Sequence, residues 1–149
     1  MSKIYFEDIA VGDKTISESR TVTKEEILDF AHKYDPQPFH IDEEAAKKSI
    51  YGGLIASGWH TASTLMRLLV DNMTNNRAGL GSPGFDDLRW ILPIRPSDSL
   101  RYESTVIEAR KSESRPDMGI VRAEIKLFNQ NDEVVLSMKS IGMVKTRPE

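Results

Sequence analysis

The sequence predicts an α+β fold in which one curved antiparallel sheet wraps around a long central helix. Two observations carry this prediction. Residues 59–73 follow a helical pattern that is apolar on most sides, and a helix of this kind is normally buried. Residues 87–146 contain long segments of alternating or β-branched residues, which is the pattern of antiparallel strands with one buried face.

Length and composition narrow the class of protein. The chain has 149 residues, the length of one typical domain of ~100–150 residues, so we expect a single domain over residues 1–149. It contains no cysteine, which excludes disulfides, thiolate metal sites and cysteine nucleophiles. A net charge of −3 without a basic run argues against nucleic acid as a partner. Because no apolar run is long enough for a membrane span and the start lacks the apolar core of a signal peptide, we expect a cytoplasmic protein with no membrane partner.

The chain is predicted to begin with a strand and a capped helix. Residues 14–22 have the β-branched content of a first strand. Thr23 is the expected N-cap of the helix, because Glu26 stands where it completes a capping box. The helix should end before Pro36, since the residue before a proline is driven out of the α region. Its predicted apolar face consists of Ile27, Phe30, Ala31 and Tyr34.

A second short helix and a glycine-rich loop are predicted to precede the central helix. Asp42 is the expected N-cap of a helix over residues 43–48. Residues 49–58 hold three glycines in ten positions, which indicates a backbone that turns tightly or approaches another group closely.

The remaining chain is predicted to form four strands. Residues 75–84 are polar and glycine-rich and indicate a loop before them. Residues 129–132 (NQND) are expected to form a hairpin turn between the last two strands. The predicted strands cover residues 87–94, 100–110, 120–129 and 133–146.

The densest polar cluster lies between the first two helices, in the segment YDPQPFHID. Two prolines fix the backbone here, so Asp35 and His40 are held by a stiff segment. A carboxylate and an imidazole held together form an acid–base pair in which each perturbs the pKa of the other. The alternative is that Asp35 merely ends a helix and His40 is an ordinary loop histidine.

The glycine loop can supply the second half of a site. Ser57 and Gly58 directly precede the central helix, so the N–H groups near Gly58 and Trp59 lack intrahelical acceptors. They also lie at the positive end of the helix dipole, which stabilises an anion or a developing oxyanion. The alternative is that Ser57 only caps the helix and the glycines only allow it to pack against the sheet.

Other polar residues are weaker candidates. His32 is expected to be solvated, and His60 to be a packed, hydrogen-bonded core histidine. His40 and Asp42 lack a convincing third ligand, so we expect no metal site. Three arginines can meet ligand phosphates or simply be solvated on strand faces: Arg89, Arg95 and Arg101.

The segment Asp35-Pro-Gln-Pro-Phe-His40-Ile-Asp42, followed by Gly53-Leu-Ile-Ala-Ser-Gly58, resembles the MaoC-like dehydratase or (R)-specific enoyl-CoA hydratase family. That family's signature is D-x-N-P-x-H-x-D, with an I-A-H-G-type turn before the central helix. The opening FEDIAVGD and the Leu92-Pro93 and Pro96-Ser97-Asp98 turn are similar as well. This chain departs from the signature at Gln37, where the family has Asn, and at Ser57, where many members have His.

The resemblance implies a hot-dog fold and a homodimer that reversibly hydrates a trans-2-enoyl-CoA to an (R)-3-hydroxyacyl-CoA, in fatty acid metabolism. By position, Asp35 and His40 match the catalytic dyad and Gly58 the oxyanion-hole glycine. Gln37, Ser57 and Trp59 are expected beside them as substrate-binding residues, and the bulk of Trp59 to restrict the acyl pocket. No cofactor is implied, because the substrate carries the CoA.

Two other functions remain open at this stage. A hot-dog thioesterase usually places a carboxylate on or beside the central helix, whereas residues 59–70 contain no acidic residue and Asp71 comes only at the far end. A non-catalytic acyl-thioester-binding subunit is possible on the same scaffold, because a fold does not determine a function.

Overall fold

A six-stranded antiparallel sheet forms the frame of the protein, which the computed structural model describes over residues 3–149. The strands lie side by side in the order β1-β4-β5-β6-β3, and β2 pairs separately with β4. Their bounds are Lys14–Ile16 (β1), Arg20–Thr21 (β2), Gly84–Trp90 (β3), Ser99–Lys111 (β4), Met118–Phe128 (β5) and Val134–Lys145 (β6).

Four helices lie between the second and third strands in sequence. The bounds are Lys24–Tyr34 (α1), Pro38–Ile41 (α2), Glu43–Lys47 (α3) and Gly58–Asn72 (α4), with 3₁₀ turns at Phe6–Asp8 and Thr74–Asn76. None of the helices in residues 3–149 is long and apolar enough to cross a membrane.

The main core lies between α4 and the sheet, as the alternation on β5 predicts. Every second residue of β5 is buried, while its neighbours Arg122, Glu124 and Lys126 are partly or fully exposed. Burial of one large apolar side chain contributes ~1.5–3 kcal/mol, so this interleaved layer fixes the position of α4 on the sheet. The β5 side supplies Ala123, Ile125 and Leu127, which pack in one cluster with Leu65, Leu68 and Leu69 of α4. Val121 belongs to a second, smaller cluster with Ile9, Val106 and Val144.

Both predicted helix caps are present. The Thr23 hydroxyl accepts the Glu26 N–H at 3.2 Å, and Asp42 Oδ1 accepts the N–H groups of Glu44 and Ala45 at 3.0 and 3.2 Å. One detail of the capping box differs from the prediction. The Glu26 carboxylate takes a hydrogen bond from the Thr23 hydroxyl at 3.3 Å instead of reaching back to the Thr23 N–H.

The predicted strand over residues 14–22 is wrong as one continuous element. It divides into β1 and β2, because the chain leaves the ladder after Ser17. The Ser17 N–H donates to the Tyr102 carbonyl at 3.1 Å, and the Ser17 hydroxyl accepts the Tyr102 N–H at 2.9 Å. The hydroxyl thus replaces a backbone acceptor, and the strand resumes at Arg20 opposite Leu100.

The predicted strand over residues 87–94 also differs from the structure, where β3 begins and ends earlier. The strand starts at Gly84, opposite Ile141, and a register shift between Asp86 and Arg89, with Asp87 in the left-handed region, interrupts its pairing with β6. Beyond Trp90, the N–H groups of Ile91 and Leu92 both donate to the Val135 carbonyl, so the ladder ends there.

Two predicted apolar faces are only partly buried. Ile27 and Ala31 of α1 lie in the interior, but Tyr34 at its end is 73% exposed. On α4, Trp59 is 60% exposed and Met66 is also exposed. The apolar side chains of α4 therefore lie partly on the protein surface and partly in the core.

Candidate active site

A one-turn helix brings Asp35 and His40 together. Asp35 ends α1, and the Gln37 N–H then donates to the Asp35 carbonyl at 2.8 Å. The His40 N–H donates to the Gln37 carbonyl at 2.9 Å, with Pro38 as the first residue of α2. The chain therefore folds back tightly enough to place Asp35 Oδ2 3.3 Å from His40 Nε2.

The His40 ring is oriented by the glycine-rich loop. It is 5% exposed, and its Nδ1 lies 2.8 Å from the carbonyl oxygen of Ile55. A carbonyl only accepts hydrogen bonds, so Nδ1 carries a proton and donates it to Ile55. Nε2 is then the ring nitrogen that faces Asp35. The Ile55 N–H donates to the Phe39 carbonyl at 3.2 Å, which fixes the loop from both sides.

Two side chains hold the Asp35 carboxylate in its ionised form. Ser57 Oγ donates to Oδ2 at 2.6 Å, and Gln37 Nε2 donates to Oδ1 at 2.6 Å. Burial by itself raises the pKa of this carboxyl, but the hydrogen bonds from Ser57 and Gln37, together with the nearby His40, outweigh it. The net effect lowers the pKa of Asp35 below its ordinary value, because both hydrogen bonds favour the charged carboxylate, as does the positive charge of the His40 ring when that ring is protonated.

Ser57 is a buried residue of the site. It is 0% exposed and lies behind the cavity wall. Its hydroxyl donates to Asp35 and accepts the Trp59 N–H at 3.3 Å. Ser57 therefore links the carboxylate to the first turn of α4, and its predicted role in binding the substrate stays a prediction.

Gly58 begins α4 at the edge of the cavity. As the first helical residue it has no acceptor for its N–H within the helix, and no acceptor for it is found elsewhere in residues 3–149. The next N–H along the chain, that of Trp59, is taken by Ser57. The Gly58 N–H is therefore a donor at this helix end, on the cavity wall, that remains available to a ligand.

A cavity of about 390 Å³ joins these groups. Ligand pockets commonly measure ~300–1,000 Å³ and combine apolar walls with a few directed polar groups. The polar contribution here comes from Asp35, Gln37 and His40, and the cavity also reaches Gly58. The remaining wall is largely apolar or aromatic and is formed by Phe39, Tyr51, Ile55, Ala56, Trp59, Thr61, Trp90, Ile91, Leu92, Pro93 and Ile94.

The other histidines lie outside this cluster. His32 is exposed, as predicted. His60 is buried and stacks on Phe30 with ring centroids 4.9 Å apart, but its Nδ1 has no hydrogen-bond partner in the described residues. The expectation that His60 is hydrogen-bonded is therefore wrong at this atom. Burial lowers the pKa of His60 because it disfavours the charged ring.

The charged residues that the sequence offers as metal or phosphate ligands lie at a helix cap, beside the glycine loop or on the surface. Asp42 acts as the cap of α3, and within residues 3–149 no group of three His, Asp or Glu side chains is arranged to hold a metal. Arg95 Nη1 lies 3.4 Å from the Gly53 carbonyl, beside the glycine loop. Arg89 is exposed, and Arg101 pairs with Asp132 at 2.9 Å, away from the cavity.

Two residues of the site carry no signal in the sequence. Ile55 orients His40 through its carbonyl, a group that every residue possesses. Trp90 lies over Gly58, and its Nε1 donates to the Gly58 carbonyl at 2.7 Å. The sequence places Trp90 on a strand but does not reveal that this strand ends beside a residue 32 positions earlier.

Comparison with known proteins finds a matching family model and solved structures of the same fold. A family model described as the MaoC like domain matches residues 8–127. The MaoC-like dehydratase from Rhodospirillum rubrum is 44% identical, with a TM-score of 0.87 and 98% of this chain and 99% of that chain covered. R-hydratase PhaJ1 from Pseudomonas aeruginosa is 21% identical, with a TM-score of 0.78 over 97% of this chain and 88% of that chain. The likeness to this hydratase confirms the predicted hot-dog fold.

A shorter match concerns another curated relative, of which only a small part is covered. Mesaconyl-CoA hydratase from Cereibacter sphaeroides is 41% identical over 64 residues. The match covers 43% of this chain and 18% of that protein.

Proposed function

The chain belongs to the MaoC-like domain family, and on this premise we propose that it is a hydratase that adds water to a trans-2-enoyl-CoA. The product is the (R)-3-hydroxyacyl-CoA, and the reverse reaction is a dehydration. The observation that carries the proposal is the pair Asp35 and His40, 3.3 Å apart on the wall that also contains Gly58. The hydratases among the similar proteins support the reaction class.

The state of the two side chains suits a bound water. With Nδ1–H donated to Ile55, neutral His40 presents a lone pair at Nε2. Ionised Asp35 presents Oδ2 beside it. Two acceptors at this separation repel each other unless a proton lies between them, and a water molecule can satisfy both by donating one hydrogen to each. In this proposal the dyad holds the water and accepts its proton.

The proposed addition has two parts. The water oxygen attacks C3 of the enoyl thioester while its proton passes to the dyad, and a proton from the dyad is returned to C2. Negative charge meanwhile develops on the thioester oxygen, which accepts the Gly58 N–H. Positioned acid–base groups contribute typically ~10²–10⁴-fold, and one oxyanion donor ~10²–10³-fold. The chemistry uses groups of the chain alone, and the CoA is part of the substrate.

We further propose that the 149-residue chain acts as one domain in a homodimer. In the described residues, β3 pairs with β6 alone, so its other side is a free sheet edge. Phe85 on β3 and Trp59 and Met66 on α4 are large exposed apolar residues. Unpaired edges and exposed apolar surfaces are normally covered, and a two-fold pairing of β3 with its copy covers both at once.

The thioesterase alternative finds less support in the site. Asp71, the one acidic residue within α4, pairs with Arg67 at 3.0 Å at the opposite end from Gly58. It is therefore far from the oxyanion turn, where a hydrolytic water has to be activated.

One assay distinguishes hydration, hydrolysis and binding without turnover. The protein is incubated with crotonyl-CoA while the enoyl absorbance and the free thiol are followed together, and enoyl-CoAs of four to twelve carbons and branched analogues follow. The proposal expects loss of the enoyl signal without thiol release. Thiol release with the enoyl signal intact contradicts it in favour of a thioesterase, and binding without turnover on every substrate favours a non-catalytic subunit.

A further inference from the structure

Trp90 occupies the space that a side chain at position 58 needs. A Cβ built on Gly58 lies 2.6 Å from Cε2 and 2.8 Å from Nε1 of the Trp90 indole, and both atoms belong to a rigid ring. The φ angle of Gly58 is not in the positive range that favours glycine. The absence of a side chain at position 58 is therefore required by the indole and not by the backbone conformation.

Trp90 also holds the peptide that follows the oxyanion donor. Its Nε1 donates to the Gly58 carbonyl at 2.7 Å, while the N–H of the same peptide, that of Trp59, donates to Ser57 Oγ at 3.3 Å. The Trp59 ring packs edge-on against Trp90, with ring centroids 5.2 Å apart. The Gly58–Trp59 peptide is thus held at both its carbonyl and its N–H, and its orientation determines where the preceding Gly58 N–H points.

We propose that Trp90 is a positioning residue for the oxyanion donor: its indole clamps the first turn of α4 so that the Gly58 N–H points into the cavity. This inference rests on the proposed function. It differs from the explanation that position 58 is a glycine because the substrate approaches it closely. If the indole is the cause, an added methyl group at position 58 becomes tolerable once the indole is removed.

The test is a double-mutant cycle with Gly58→Ala and Trp90→Ala, accompanied by Trp90→Phe. Steady-state kinetics on the enoyl-CoA that the wild type turns over best give kcat and KM separately. We expect Gly58→Ala to lower kcat by at least ~10²-fold, the effect of losing one oxyanion donor, but by less than about 10-fold in the Trp90→Ala background. Such coupling between contacting residues is what a cycle measures.

Trp90→Phe separates positioning from packing, since it keeps a ring and removes the N–H donor. We expect kcat to fall by roughly 10-fold with KM within about twofold, because a misdirected oxyanion donor weakens the transition state more than the bound substrate. Lys126→Ala is the control for a surface substitution on the sheet, since Lys126 of β5 is exposed, does not line the cavity and has its Nζ 3.7 Å from the exposed Glu124 carboxylate. Its kcat should equal that of the wild type.

Two results overturn the inference. One is that Gly58→Ala lowers kcat by the same factor with and without the Trp90 indole. Position 58 is then a glycine because the substrate approaches it closely, and not because of the indole. The other is that Trp90→Phe leaves kcat unchanged. If the wild type hydrates no enoyl thioester, the proposed function fails, and the contact between Trp90 and Gly58 is then tested separately. The melting temperatures of the same four proteins are compared: non-additive shifts support the contact between the indole and position 58, and additive shifts overturn it.

Discussion

Replacing Ser57 by Ala removes one hydroxyl that serves two elements. The 2.6 Å hydrogen bond to ionised Asp35 is lost, and bonds to charged groups are worth ~1.5–3 kcal/mol. The cap of α4 is lost too, but its 3.3 Å length places it near the lower end of the ~0.5–2 kcal/mol range. Because the Asp35 side chain is 18% exposed, water replaces part of the first bond. We expect the free energy of unfolding to fall by ~2 kcal/mol at pH 7, or ~4–8 °C in Tm.

The loss depends on pH in a direction set by Asp35. Its pKa is lowered in the folded state, so the stability that Ser57 contributes through this bond is fully present above the ordinary carboxyl pKa of ~3.9. This stability is lost as the pH falls through the lower pKa of folded Asp35, because protonation of the carboxylate removes the charge that strengthens the hydrogen bond. Urea unfolding of wild type and variant at pH 7 and at pH 3 measures the difference. The acid limb of kcat/KM should move to higher pH in the variant.

Ser63→Ala is the matched control for Ser57→Ala. Ser63 lies on the same helix and is exposed, and its hydroxyl donates to the Trp59 carbonyl at 2.8 Å without contacting Asp35. Its unfolding free energy should stay within ~0.5 kcal/mol of the wild type at every pH. A Ser57→Ala loss that is the same at pH 7 and pH 3, or an unmoved acid limb, refutes the assignment of Ser57 to Asp35.

Three further predictions concern the core and the dimer. The Tyr102 hydroxyl is buried without a partner in residues 3–149, so Tyr102→Phe should unfold at an equal or higher urea concentration, and a loss above ~1 kcal/mol contradicts this. Since burial lowers the pKa of His60, stability should decline as the pH drops below ~6.5. His60→Leu should flatten that decline, and an unchanged slope excludes His60 as its source. Phe85→Glu places two carboxylates near the proposed two-fold axis and should give monomers in sedimentation at micromolar concentration, whereas an intact dimer shows that β3 is not the interface.

Local sequence signals predicted the elements that depend on neighbouring residues. The alternation on β5 marked the buried face correctly, because the period of a strand is visible in any eight residues. Thr23 and Asp42 were recognisable as caps for the same reason, since a cap and its partner lie two or three residues apart. The proximity of Asp35 and His40 follows from two prolines within one short segment.

Contacts between distant segments were not predictable. Ser57 meets Asp35 across 22 residues, and Trp90 meets Gly58 across 32. Both depend on how α4 lies against the sheet, which no local pattern encodes. The division of the first strand at Ser17 has the same origin, because it results from the bonds between Ser17 and Tyr102 across 85 residues. The link from Ser57 to Asp35 is likewise invisible in the sequence, which shows only that Ser57 precedes the central helix.

In the proposed mechanism Asp35 and His40 act as one unit on a bound water, and the kinetics of Asp35→Asn, His40→Ala and the double variant on the same enoyl-CoA test this most directly. Each single variant should lower kcat by at least ~10²-fold, and the double variant should be little worse than either, because effects within a catalytic unit are not additive. Circular dichroism controls for folding. Near-normal kcat in either single variant, or losses that multiply in the double variant, would show that the two side chains do not act as one catalytic unit.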